Sequence, residues 1–84
     1  MVDERDCMYG TTWCNDCTRA KRFFERNNVN YKWINIDHED EYVDYVMGVN
    51  DGLRIVPTIV FADGTVLAEP SDRDLALKLE LDDK

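Results

Sequence analysis

The chain has 84 residues, with 18 acidic against 10 basic side chains, a formal net charge of −8, 44% hydrophobic residues and 11% aromatic residues. Such a length makes one domain, residues 1–84, which buries roughly 60–65% of the surface its unfolded chain would expose, and the composition argues against disorder and against a membrane span. The acidic balance argues against a nucleic-acid partner, because phosphate binding needs clustered Lys and Arg to release counterions.

Residues 1–6 are charged and hold no apolar stretch that would serve as a signal peptide, so the expected location is cytoplasmic. Residues 5–10 predict a first strand, and residues 15–27 a helix whose Cys17, Ala20, Phe23, Phe24 and Asn27 recur at helical spacing. Residues 30–36 alternate Tyr31, Trp33, Asn35 against Lys32, Ile34, Ile36, which predicts a second strand. Asp37 then caps a second helix that carries Glu39, Asp40 and Glu41 in its first turn and turns Tyr42, Val43, Val46, Met47 and Val49 inward. Asn50-Asp51-Gly52 closes it. A third strand begins at Pro57, since proline is tolerated at a strand's first residue, and Asp63-Gly64 makes a tight hairpin turn into a fourth strand at Thr65-Val66-Leu67. Ser71 caps a last helix with Asp74 three residues on as an imperfect capping box, and Leu75, Ala76 and Leu79 face inward. The order β-α-β-α-β-β-α predicts an α/β fold with a mixed four-stranded sheet and helices on both faces.

The chemistry-bearing stretch is Trp13-Cys14-Asn15-Asp16-Cys17, placed between the first strand and the first helix. This puts the first sulfur at a helix N-terminus, where unpaired N–H groups and the macrodipole favour a thiolate. The second sulfur lies about one turn on, within reach of a mixed disulfide made by the first. A structural zinc site needs two further ligands at suitable spacing. Only Cys7 and His38 are on offer, and they do not form a pair, so no metal is expected. Cys7 reads as a buried apolar residue, and His38 as a solvated or capping residue. Arg19, Lys21, Arg22 and Arg26 gather just beyond the cysteines, and such a run reads first as a solvated helix face and only second as a guide for an anionic thiol.

The Trp13-Cys14-Asn15-Asp16-Cys17 motif, the Arg54-Ile55-Val56-Pro57 segment and the Phe61-Ala62-Asp63-Gly64 turn together resemble a glutaredoxin-type member of the thioredoxin-fold family, over nearly the whole chain. Thr11-Thr12 ahead of Trp13, Val49-Asn50-Asp51-Gly52 and Pro70-Ser71 are similar to the mycoredoxins, which use mycothiol in place of glutathione. Between the cysteines stands Asn15-Asp16 where glutathione-using members have Pro-Tyr, and Glu69-Pro70-Ser71-Asp72 where they have Gly-Gly-x-Asp-Asp. The resemblance implies Cys14 as nucleophile, Cys17 as resolving thiol, and a cis Pro57 that exposes the Val56 backbone to a substrate chain. Trp13 would flank the substrate or shield the cysteines. Arg54 would hold a carboxylate of the thiol co-substrate, with Ser71 and Asp72 as the other anion contact. A carboxylate at Asp16, roughly 6–8 Å from the sulfur of Cys14, opposes a thiolate by about 0.5–2.5 kcal/mol, so it is expected to offset the typical 0.3–1 kcal/mol or so of the helix terminus.

The activity these residues imply is thiol–disulfide exchange on protein disulfides or on proteins mixed-disulfide-bonded to a small thiol. The expected protein is a monomer that binds no cofactor and uses mycothiol or glutathione as co-substrate. Three alternatives stay open: a redoxin reduced directly by a thioredoxin-reductase-like flavoprotein, an iron–sulfur carrier in which two chains share a cluster through Cys14, and a non-catalytic interaction module. Two retained cysteines disfavour the last.

Overall fold

A computed structural model describes residues 5–37 and 39–80, so His38 lies outside the described residues. Four strands, β1 (Asp6–Gly10), β2 (Tyr31–Asn35), β3 (Thr58–Val60) and β4 (Val66–Ala68), alternate with three helices, α1 (Asn15–Arg26), α2 (Asp40–Val49) and α3 (Asp72–Lys78), in the expected order. The sheet runs β2-β1-β3-β4. β1 pairs parallel with β2, Gly10 opposite Asn35, and antiparallel with β3, Met8 opposite Ile59; β3 pairs antiparallel with β4.

Period-two alternation in β1 sends Met8 to one face and Cys7 and Tyr9 to the other. Met8 and Ile59 pack with Ala20, Phe23 and Phe24 of α1 and with Leu75 and Ala76 of α3. On the opposite face Ile34, Ile36 and Val46 form a smaller cluster, with Cys7, Tyr9, Tyr42, Val43 and Val56 against it. The helices thus lie on both faces, and the larger cluster fixes α1, whose first turn carries the cysteines.

Three local expectations change. Asp37 does not cap α2: the helix starts at Asp40, so the N-cap position falls on Glu39, which makes no side-chain hydrogen bond, and the Asp37 carboxylate accepts from Trp13. Val49 is 37% exposed, since the last turn of α2 rolls its side chain away from the sheet. Strand pairing starts at Thr58, one residue after Pro57, and β4 is shifted one residue on, to Val66–Ala68. The hairpin turn runs from Phe61 to Gly64: the Gly64 N–H donates to the Phe61 carbonyl at 2.8 Å with Gly64 at φ +91, in the left-handed region that favours glycine. The capping box of α3 is complete, with Ser71 and Asp74 each accepting from the other's backbone N–H.

Gly10 ends β1 under the first turn of α1. A Cβ there would stand 2.6 Å from Cys17 Sγ and 2.9 Å from the Trp33 ring, so the close approach of strand and helix requires glycine. Gly10→Ala is expected to destabilise the protein by about 1–3 kcal/mol through overpacking, read as a lower urea midpoint. An unchanged midpoint would show that the strand end and the helix are free to separate.

Candidate active site

Cys14 is the N-cap of α1, with extended backbone (φ −90, ψ 119), and its sulfur accepts the Cys17 N–H at 3.3 Å. The sulfur thus does what a Ser or Asp oxygen does at most helix starts, satisfying one of the first-turn donors. It also points across to the next layer of the site: Cys14 Sγ lies 3.8 Å from the Val56 carbonyl, to which the thiol donates. Cys14 is half-buried, whereas Cys17 is fully buried. Burial pushes the Cys17 thiol up to about 12; its hydrogen bond with Cys14 and the charges of Cys14 and Asp16 act in the same direction, while the Thr11 backbone pulls the other way. Two sulfurs one turn apart therefore differ in access, and the buried one is held neutral.

The Val56–Pro57 bond is cis, as the resemblance implies, and Pro57 is fully buried. The segment is braced from three elements. Thr58 Oγ1 donates to the Ile55 carbonyl at 2.6 Å and accepts from Asn50 Nδ2 at 3.0 Å. The same amide donates to the Val46 carbonyl of α2 at 2.9 Å. The Glu69 N–H, just past β4, donates to the Pro57 carbonyl at 2.8 Å. Asn50 and Thr58 are supporting residues that the sequence reading misses, because Asn50 carries an equally good turn signal and Thr58 an equally good strand signal.

Trp13 is 65% exposed beside Cys14, and its indole Nε1 donates to Asp37 Oδ1 at 2.9 Å. Arg54 is exposed in the loop that leads to Val56. The start of α3 is taken up by the chain's own groups. Ser71 Oγ accepts from the Asp74 N–H at 3.0 Å. Asp72 Oδ1 accepts from Arg19 Nη1 at 2.7 Å, and Arg19 Nη2 donates to the Pro70 carbonyl at 2.9 Å. The structure thus brings Cys14, Cys17, Val56 and Pro57 together, with Trp13 adjoining Cys14, and it ties Ser71 and Asp72 into the junction of α1 and α3.

Of the basic run of α1, Arg22 and Arg26 stand on the exposed face, while Arg19 and Lys21 are half-buried against the chain's own groups. Arg19 also stands 3.7 Å from Asp16, Lys21 Nζ lies 4.3 Å from the Trp33 ring centre, and Arg26 is 3.9 Å from Asp72 Oδ2. Among the described residues no group of three or more His, Cys, Asp or Glu side chains is placed to hold a metal ion, and no helix is long and apolar enough to cross a membrane.

A paired thiol at a strand-to-helix junction beside a cis-proline is the arrangement that thiol–disulfide exchange requires. The glutaredoxin family model matches residues 7–67, which span both cysteines and Pro57. The chain belongs to the glutaredoxin family. It is 39% identical over 79 residues to a Mycobacterium tuberculosis protein named as a putative glutaredoxin, covering 94% of each chain. It is 34% identical over 73 residues to mycoredoxin 1 of Corynebacterium glutamicum, covering 87% of this chain and 90% of that one. Among solved structures, the glutaredoxin from Archaeoglobus fulgidus shares the fold with a TM-score of 0.78 at 24% identity, over 89% of this chain and 85% of that one. Like the family, this glutaredoxin is a thiol–disulfide oxidoreductase.

The difference between the sulfurs sets their order of reaction with an alkylating agent. Burial shields Cys17 and holds its thiol neutral, so at pH 8 iodoacetamide should modify Cys14 well ahead of Cys17. Peptide mapping of the reduced protein checks this, and comparable labelling of the two would show that Cys17 is not in its buried slot.

Proposed function

We propose that this glutaredoxin reduces mixed disulfides between proteins and a low-molecular-weight thiol, and protein disulfides, through Cys14. The observation that carries the reading is the division between the two sulfurs, one half-buried at a helix N-terminus and the other fully buried with its thiol held neutral. The Cys14 thiolate attacks one sulfur of the substrate disulfide. A new S–S bond forms as the old one breaks, and the departing thiolate leaves with the bonding electron pair and takes a proton from water. A second small thiol then attacks the small-thiol sulfur bonded to Cys14, which releases the Cys14 thiolate and forms the small-thiol disulfide. On the other route Cys17 attacks the Cys14 sulfur, the bound thiol leaves, and two small thiols reduce the resulting Cys14–Cys17 disulfide and end as their own disulfide.

Val56 and Pro57 form the shelf against which the substrate chain lies, in the manner of an added strand. Trp13 flanks the disulfide, and exposed Arg54 meets a carboxylate of the partner. Ser71 and Asp72 contribute only where an anion displaces the Arg19 ion pair. Asp16 tunes the pair through its charge, which opposes ionisation of Cys17. Likeness to a mycoredoxin over 87% of the chain favours mycothiol over glutathione as the co-substrate.

Cys14→Ser should abolish turnover of every disulfide. Cys17→Ser should keep activity on small-thiol mixed disulfides and lose it on substrates that need both cysteines. Turnover assays with mycothiol, with glutathione and with a thioredoxin reductase as alternative electron sources read out both variants. Residual activity in Cys14→Ser would overturn the assignment of the nucleophile, and loss of all activity in Cys17→Ser would overturn the single-thiol route.

A further inference from the structure

Trp13 is the most conspicuous apolar side chain near the site that the core does not use. It is 65% exposed and belongs to neither packed cluster. A large ring left in water next to a nucleophile would sample several rotamers, and any substrate that stacks on it would have to select one. The indole is held instead by one directed bond: Nε1–H donates to the ionisable oxygen Oδ1 of Asp37 at 2.9 Å, across 24 positions of sequence.

The acceptor is itself held in place. The parallel ladder of β1 and β2 brings Gly10 opposite Asn35, and it is extended by the Ile36 N–H donating to the Gly10 carbonyl at 2.9 Å. The Asp37 N–H is then tied back to Asn35 Oδ1 at 2.9 Å. Parallel pairing places the exits of both strands at the same end of the sheet, one leading to Trp13 and Cys14 and the other to Asp37. Asp37 is half-buried and stands two residues ahead of Glu39, the N-cap of α2, in the turn that leaves β2.

We infer that Asp37 is a positioning residue for the exchange reaction: its carboxylate fixes the Trp13 ring beside Cys14 so that the ring meets the incoming disulfide already oriented. The inference rests on the oxidoreductase reading for its purpose, but the chemistry that tests it needs only an accessible thiol. Cys14 thiolate and bis(2-hydroxyethyl) disulfide give the Cys14 mixed disulfide and one 2-mercaptoethanol thiolate, with no other oxidant or reductant.

The protein has two tryptophans, so Trp33→Phe leaves Trp13 as the only indole reporter. In that background Asp37→Leu removes the acceptor and Asp37→Asn keeps an oxygen that accepts. Asp37→Leu should lower Trp13 fluorescence anisotropy and slow mixed-disulfide formation at Cys14, followed by mass spectrometry, about two- to tenfold, the range expected for one hydrogen bond. Asp37→Asn should restore both. Trp13→Phe, which deletes the N–H from the other side, should slow the same exchange, and adding Asp37→Leu to it should cost little more. If Asp37→Leu folds poorly, Trp13→Phe alone carries the test, since it removes the same hydrogen bond without changing position 37. Unchanged anisotropy, an unchanged exchange rate, or additive losses in the double variant would each overturn it. A wild-type protein that exchanges with this disulfide but does not speed the reduction of mixed disulfides by a small thiol would instead overturn the oxidoreductase reading and leave the Asp37 result standing.

Discussion

The site depends on a slot with no side chain on its floor. Gly10 lets the end of β1 pass close beneath the first turn of α1, and the space it vacates is filled by the sulfur of Cys17 and the edge of Trp33. Cys14, three positions earlier, is the N-cap with extended backbone, so it leaves the helical path and its sulfur lies beside the Val56 carbonyl rather than in the slot. The packing that anchors the helix and the conformation of its cap together decide which sulfur meets the solvent. Phe23, Phe24 and Ala20, further along the same face, hold α1 down against Met8 and Ile59 and keep the slot closed.

The second requirement is that the Val56 backbone stay beside Cys14, although it belongs to a loop. Loops hold a defined position only when neighbouring elements satisfy their polar groups. Here Asn50 at the end of α2 works through Thr58, and Glu69 beyond β4 reaches the Pro57 carbonyl. Arg19 does a similar job at the other end, bonding both Asp72 and the Pro70 carbonyl and so fastening the entry of α3 to α1. The cations nearest the cysteines are consequently engaged with the chain's own acids and rings. Arg54 is exposed two residues before Val56 in the same loop.

The fold was legible because its signals are strong and local: alternation in β1 and β2, helical spacing from Cys17 to Phe24, the Ser71 and Asp74 box, and Gly64 at the hairpin. The placement of the two cysteines was legible for the same reason, since a C-x-x-C between strand and helix leaves few arrangements. What the sequence hid were bonds between residues far apart in the chain. Asp37 carries a good capping signal for α2, and nothing local says that an indole 24 positions away will compete for its carboxylate. Arg19 reads as one basic residue among several on a helix, and only the tertiary placement of Pro70 and Asp72 gives it partners. Val49 fails as an inward residue because helical periodicity does not say where a sheet stops. The role of Gly10 is hidden too, since a glycine at a strand end has several equally ordinary explanations.

The causes that hold Cys17 neutral are not all permanent, and in the proposed exchange this orders its two steps. Burial is the largest and persists throughout, as does the charge of Asp16; the hydrogen bond with Cys14 and the charge on Cys14 are the others that raise it. Once the Cys14 sulfur is part of a mixed disulfide it carries no charge, so its Coulombic opposition to ionisation at Cys17 ends, and its thiol hydrogen bond ends with it. Cys17 is thus least reactive while Cys14 is free and becomes easier to ionise only after Cys14 has been captured. The buried slot remains, however, and desolvation alone keeps Cys17 a reluctant nucleophile. A small thiol approaching from solvent faces no such penalty, which in the proposed exchange gives it the advantage in resolving the intermediate whenever the partner sulfur bonded to Cys14 is accessible.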